Sequence, residues 1–226
     1  MVRLVLFDID GTLIHSGGAG EQAFARVCAT EFNVPKGTES LRFAGRTDPS
    51  IVRDFFCGHG IEPSEKNFRR FFENYVIWLA QMLGQTSGRV LPGVEGMIGR
   101  LRKMAVPPAI GLLTGNIRPG AQIKLSHYKL WDHFQTGAFG DDHEDRNEIA
   151  AIARDRGSQL LQRKLRGEEI LVIGDTPLDI ACGKAIQAKI LAVATGNYSL
   201  DQLREHTPHW VCSDLQQICV EEVCGC

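Results

Sequence analysis

Short apolar runs and longer amphipathic stretches alternate along most of this chain. Apolar runs at 2–7, 109–113, 170–173 and 190–193, with a shorter one near 136–139, have the length of buried strands. Between them, helical patterns cover 93–104, 119–130, 146–165 and 178–186. Strand and helix alternating in this order predict an α/β fold: a doubly wound, Rossmann-like parallel sheet with helices on both faces. The stretch 200–219 is expected to add one further strand and helix.

The interval between the first strand and Pro92 breaks that rhythm. It reads as helix throughout, at 21–32, 49–56 and 64–83. The last of these carries Phe68, Phe71, Phe72, Tyr75, Trp78, Leu79 and Met82 near helical period, and Ser64 is suited to cap its start. Such a stripe reads as helix-packing core rather than a cofactor box. Ser16-Gly17-Gly18-Ala19-Gly20 on one side and Leu91-Pro92-Gly93 on the other supply flexible joints. The pattern predicts an all-helical insert, residues 16–90, in a core domain made of 1–15 and 91–226. Two joints around such a block describe a lid that opens and closes over the tip of the first strand.

Composition narrows the classes. At 226 residues, 43% hydrophobic and 23% charged, the chain has the make-up of an ordinary globular protein with a real core. A net charge of −2 with scattered basic residues leaves no footprint for nucleic acid. Clusters such as 163–166 read as solvated helix faces. No apolar stretch approaches the ~20 residues needed to span a membrane. The chain enters its first strand directly after Met1, Val2 and Arg3, so no signal peptide is expected. Seven cysteines, an odd number, are then expected as reduced thiols of a cytoplasmic protein. Within the tail 219–226, Cys224-Gly-Cys226 lacks the two-residue spacer of paired metal ligands and is not read as a metal site.

The chemistry lies at the strand ends. Asp8-Ile9-Asp10-Gly11-Thr12-Leu13 follows the first apolar run, so two carboxylates emerge at one strand tip, beside the crevice where such sheets bind ligands. Alternate strand residues point to opposite faces, and the pair converges only if the chain leaves the strand between them, which Gly11 permits. One acid can attack a phosphorus centre while the other handles a proton. Thr114-Gly115-Asn116 ends the second core strand with a hydroxyl and free backbone amides, a phosphate cradle or, equally, a helix start capped by Asn116. Gly174-Asp175-Thr176-Pro177-Leu178-Asp179 follows another strand. Taken alone, Asp175 reads as a cap and Asp179 as an acid favoured by the helix dipole. Beside the first pair, two more carboxylates would repel unless a cation lay among them, and oxygen ligands with a phosphate substrate suit Mg²⁺.

These segments, in this order and on these strand ends, resemble motifs of the haloacid dehalogenase superfamily of phosphatases and phosphomutases. The helical insert after the first motif is similar to the small cap of its phosphoglycolate phosphatase-like branch. The resemblance implies that Asp8 attacks phosphorus and that Asp10 serves as acid and base. It also implies that Mg²⁺ is held by Asp8, the backbone carbonyl of Asp10 and Asp175, with Asp179 direct or through water. Thr114, Gly115 and Asn116 would hold the phosphoryl oxygens. The family commonly adds a lysine followed by proline after the third core strand. Here that pair is missing and Arg146 occupies the place, a competent substitute because its planar fork grips oxygens in pairs. Lys124 is the rival cation, on what reads as the outer face of its helix.

Asp10 favours phosphoryl transfer over dehalogenation, since a leaving halide needs no proton. Gly20 stands where the sugar-phosphate mutases of this branch commonly carry a histidine, which weakens the mutase alternative. A non-catalytic phosphate-binding module would need no such paired acids. Ala44-Gly45-Arg46-Thr47-Asp48 resembles the turn by which related caps address substrate. Arg46 either pairs a substrate carboxylate or faces solvent beside a helix cap made by Thr47 or Asp48. His15 near the joint either touches substrate or is a surface residue. The expected partner is a small phosphorylated metabolite, a phosphoglycolate-like or sugar phosphate.

Overall fold

The first strand, β1 (Leu4–Phe7), is buried on both faces because its side chains alternate between two cores. Val5 and Phe7 join Met97, Leu101 and Leu125 on one side, whereas Leu4 and Leu6 join Ile149, Ala150 and Ala153 on the other. Burial on both faces is why the strand reads as an unbroken apolar run. In the computed structural model, which describes residues 1–225, the chain continues through β2 (Ile14–His15), α1 (Ala19–Phe32), α2 (Asp48–Gly58), α3 (Glu65–Leu83) and β3 (Arg89–Val90). Helix and strand then alternate: α4 (Val94–Lys103), β4 (Ala109–Leu113), α5 (Arg118–His127), β5 (Thr136–Ala138), α6 (Arg146–Leu160) and β6 (Ile170–Gly174). The chain ends with α7 (Pro177–Ala185), β7 (Lys189–Val193), α8 (Leu200–Glu205), β8 (Trp210–Cys212) and α9 (Val220–Cys224). Cys226, the last of the tail cysteines, lies outside the described residues.

Six strands pair in parallel in the order β5-β4-β1-β6-β7-β8, the doubly wound architecture that the alternation predicts. Phe7 of β1 lies opposite Leu112 of β4 and Ile173 of β6. The connections run outward in both directions from β1, so the carboxyl ends of β1, β4 and β6 flank the switch-point crevice of the sheet.

Helices α1 to α3 carry a hydrophobic cluster of their own. Phe71, at its centre, has ring partners Phe24, Phe32, Phe55 and Phe56 at centroid distances of 5.0, 6.0, 6.0 and 6.1 Å. The aromatic stripe is packing core, as its period suggests, and Ser64 caps α3 by accepting from the Asn67 N–H. Ile117, just ahead of α5, also belongs to this cluster and ties it to the sheet domain.

Two local features differ from the sequence reading. Each joint is directly preceded by a two-residue strand, β2 and β3, paired antiparallel with Ile14 opposite Val90 and His15 opposite Arg89. Strands of two residues carry no readable period. Helix α6 also stops at Leu160 rather than near 165, so residues 163–166 are not a helix face; Arg163 and Arg166 instead pair with Glu169. No helix of the described residues is long and apolar enough to cross a membrane.

Candidate active site at the strand tips

Beyond Phe7 the chain holds the sheet for one more bond, the Asp8 N–H donating to the Ile173 carbonyl at 3.0 Å. It then curls, and the Ile9 carbonyl accepts from the N–H groups of Thr12, Leu13 and Ile14. Gly11 makes the curl at φ +85°, where a side chain is strained, and a Cβ there would lie 2.3 Å from Asp175 Oδ2. The result is that Asp8 and Asp10 both line one cavity of about 480 Å³ between the strand tips and the helical unit.

On the Asp8 side stands Arg146, the first residue of α6, whose N-terminus Asp145 caps. Its buried guanidinium lies 2.9 Å from Asp8 Oδ1, pairs also with Asp179 Oδ1, and donates to the Gly45 carbonyl at 3.0 Å. Its Nε is buried with no partner. The second oxygen of Asp179 accepts from the Thr176 N–H and hydroxyl at 3.0 and 2.7 Å, so both are occupied. Asp175 accepts from the Thr12 hydroxyl at 3.0 Å.

Asp8, Asp175 and Asp179 present oxygens within 4.8 Å of one another. Burial pushes Asp8 up to about 6, against the pull of Arg146 and with a further push from Asp179 and Asp10. Burial, then Asp179 and Asp8, holds Asp175 well above the usual carboxylate range. One arginine thus faces three buried acids. A donor set of close, under-neutralised carboxylate oxygens fits a hard divalent cation.

The Asp10 carboxylate turns away from that cluster. Its Oδ2 accepts from Lys124 Nζ at 2.6 Å and from Asn116 Nδ2 at 2.9 Å, and Lys124 also donates to Asn116 Oδ1 at 2.7 Å. Asn116 Nδ2 reaches the Thr114 hydroxyl at 2.9 Å as well. Thr114 itself is fully buried behind Asn116 and is not part of the cavity wall, which Gly115 and Asn116 do line. The expectation that Lys124 sits on the outer face of its helix is corrected here. Lys124 shares the buried face of α5 with Gly120, Ala121 and Leu125, and its side chain is only 5% exposed. Residues three and four apart share a helix face, so the spacing from Gly120 and Ala121 held this signal.

Across the cavity, Thr47 proves to be the cap of α2, accepting from the Ser50 N–H, and its hydroxyl donates to the Glu144 carbonyl. Arg46 lines the cavity, but its guanidinium is engaged by Asp54 at 2.6 Å and by the Ser50 carbonyl at 3.2 Å. His15 lines it too, its Nδ1 accepting from the Gly17 N–H at 3.1 Å.

Sequence reasoning saw Asp48 only as a cap candidate. Its carboxylate accepts from the Ile117 N–H at 2.9 Å while its own N–H donates to the Gly115 carbonyl at 2.8 Å, clasping α2 to the start of α5. Gly115 allows this approach, since a Cβ there would lie 2.1 Å from the Arg46 carbonyl. Burial pushes Asp48 up to about 7, with Lys124 opposing.

A family model described as haloacid dehalogenase-like hydrolase matches residues 5–193. A phosphoglycolate phosphatase from Rhodobacter capsulatus is 29% identical over 181 residues, 79% of this chain and 78% of that protein. A bifunctional riboflavin kinase/FMN phosphatase from Arabidopsis thaliana is 25% identical over 193 residues, 84% of this chain but 48% of that longer protein. The crystal structure of a HAD hydrolase, family IA, variant 3, from Entamoeba histolytica superposes with a TM-score of 0.76 at 17% identity, covering 100% of this chain and 98% of its own; it supports the fold alone.

Proposed function

Because the chain belongs to the haloacid dehalogenase-like hydrolase family, we propose that it is a Mg²⁺-dependent phosphatase that hydrolyses a small organic phosphomonoester through an aspartyl-phosphate on Asp8. The observation that carries this reading is that two acids at one cavity have separate cations, Arg146 against Asp8 and Lys124 against Asp10. Carboxylates in different surroundings can take different roles.

In this mechanism Asp8 attacks phosphorus and the bond to the leaving alcohol breaks. Asp10 delivers a proton to the leaving oxygen, then takes one from the water that hydrolyses the acyl phosphate. Arg146, with its spare buried Nε, and the backbone N–H of Gly115 hold the phosphoryl oxygens where charge spreads, joined by Asn116, whose own N–H donates to the Thr114 hydroxyl at 3.3 Å until substrate arrives. Thr114 serves them at one remove, by accepting from the Asn116 amide.

Asp8, Asp175 and the Asp10 backbone carbonyl would hold Mg²⁺, with Asp179 one step behind because Arg146 and Thr176 occupy its oxygens. When bound, the ion offsets the repulsion between Asp8 and an anionic phosphate. Residues 16–90 form the cap, jointed at β2 and β3 and at Gly17 and Gly18, whose φ values of +66° and +81° suit glycine. Arg46 lines the cavity from its inner edge, with Thr47 behind it as the cap of α2, and the cavity admits a phosphorylated metabolite of modest size. A reducing, cytoplasmic setting accords with the free thiols of Cys28, Cys57, Cys182, Cys212 and Cys219.

The test is phosphate release across a panel of phosphomonoesters, with and without Mg²⁺, for the wild type and Asp8→Asn. Release that requires both the metal and Asp8 is the expected result. No release from any ester, or release untouched by Asp8→Asn, overturns the reading.

A further inference from the structure

We propose that Lys124 is a positioning residue for Asp10, holding the Oδ2 side of that carboxyl group so that a proton carried on Oδ1 passes to the leaving oxygen, rather than a cation that grips the phosphate. The inference rests on the phosphatase reading above. Three hydrogen bonds close a triangle: Lys124 to Asp10 Oδ2 at 2.6 Å, Lys124 to Asn116 Oδ1 at 2.7 Å, and Asn116 Nδ2 to Asp10 Oδ2 at 2.9 Å. Both donors converge on Oδ2. Among the described residues no donor reaches Oδ1, which is left to exchange a proton with substrate or water.

Exposure orders the pair. Both residues line the cavity, but the Asp10 side chain is 40% exposed and Lys124 only 5%, so the carboxyl group is the one more open to substrate. Two of the three ammonium donors are spent on the triangle. The helical unit borders Nζ, for a Cβ on Gly20 would sit in ordinary contact 3.5 Å from Nζ and 3.7 Å from the Tyr75 hydroxyl. Arg146, by contrast, touches the attacking carboxylate itself. The two cations therefore serve different bonds: Arg146 the forming bond from Asp8 to phosphorus, Lys124 the breaking bond to the alcohol.

That division predicts dependence on the leaving group. An alkoxide must be protonated as it departs, whereas p-nitrophenolate leaves without help. The value of kcat/KM reports steps up to loss of the alcohol, before Asp10 acts on water. We would measure it for the wild type, Lys124→Met and Lys124→Arg on p-nitrophenyl phosphate and on the best alkyl phosphomonoester of the panel. The expected result is a fall of about 100-fold or more for Lys124→Met on the alkyl ester, the scale of general acid catalysis. On the aryl ester the fall should stay within about tenfold, and arginine should recover part of the alkyl rate.

Equal losses on both esters would overturn the assignment, because a phosphate-gripping or purely structural lysine serves both alike. If Lys124→Met does not fold, Lys124→Gln carries the same comparison. A wild type that hydrolyses neither ester overturns the phosphatase reading as well; an active wild type with equal losses overturns only the role of Lys124.

Discussion

The Asp8 side of the cavity is assembled from strand tips and helix starts, and the Asp10 side from the middle of a helix with the helical unit closing over it. Asp175 directly follows β6, Asp179 lies in the first turn of α7, and Arg146 opens α6. Parallel register and the starts of these two helices therefore fix their arrangement around Asp8. Lys124 lies in the second half of α5, and Gly20 and Tyr75 of the helical unit border it. The contrast teaches that Asp8, proposed to attack, is held at the carboxyl edge of the sheet, while Asp10, proposed as acid and base, is held where motion of the helical unit would be felt.

The strongest way to break this comparison is to neutralise each acid in turn. Asp8→Asn should lower phosphate release by on the order of 10⁴-fold or more on every ester, as loss of a nucleophile does. Asp10→Asn should cost about 10²- to 10⁴-fold in kcat/KM on alkyl esters and far less on aryl ones. Parallel losses across the panel would erase the distinction.

Arg146→Met comes next. It leaves Asp8 and Asp179 buried without their cation, and removing one partner of a buried pair costs about 3–5 kcal/mol, read as a lower denaturant midpoint. A much smaller loss would mean that the Asp8 side is not the rigid, tightly paired region described.

A pH experiment sharpens the other side. Asp48 titrates near 7 when folded against 3.8 for an ordinary side chain, because burial penalises its charge. Between these values the folded chain keeps a proton that the unfolded chain has lost, so this group lowers stability as pH rises through the window. Asp48→Asn should raise Tm relative to the wild type at pH 8, with a gain that shrinks towards pH 4. A gain independent of pH would contradict the assignment.

The smallest effect concerns the pair of Arg53 and Glu144, which ties α2 to the loop before α6. Arg53 holds Glu144 below the usual carboxylate range, so the contribution is present near neutrality and fades as pH falls into the acid range. Both side chains are more than a third exposed, at 44% and 37%, and Glu144→Gln should cost less than about 1 kcal/mol in denaturant unfolding.

The same contrast explains what could be read from sequence. Asp8, Asp175, Asp179 and Arg146 follow a strand or open a helix, and a local pattern of apolar run, turn and acid finds such positions. Lys124 was misplaced because its partner Asp10 is 114 positions away and a lysine is normally read as solvent-facing. The Asp48 clasp to Ile117 spans 69 positions and looks locally like any acid in a first helical turn. The β2–β3 joint was invisible because two residues cannot display alternation. Fold and strand-tip chemistry are local signals; the surroundings of Asp10 are a product of packing.

The most direct test of the account is to trap the intermediate. Enzyme turning over a good substrate with Mg²⁺ would be quenched in acid, reduced with borohydride and mapped by mass spectrometry. The account predicts reduction of the acyl phosphate at position 8, absent in Asp8→Asn. Steady turnover with residue 8 unmodified, or with the modification elsewhere, would contradict it.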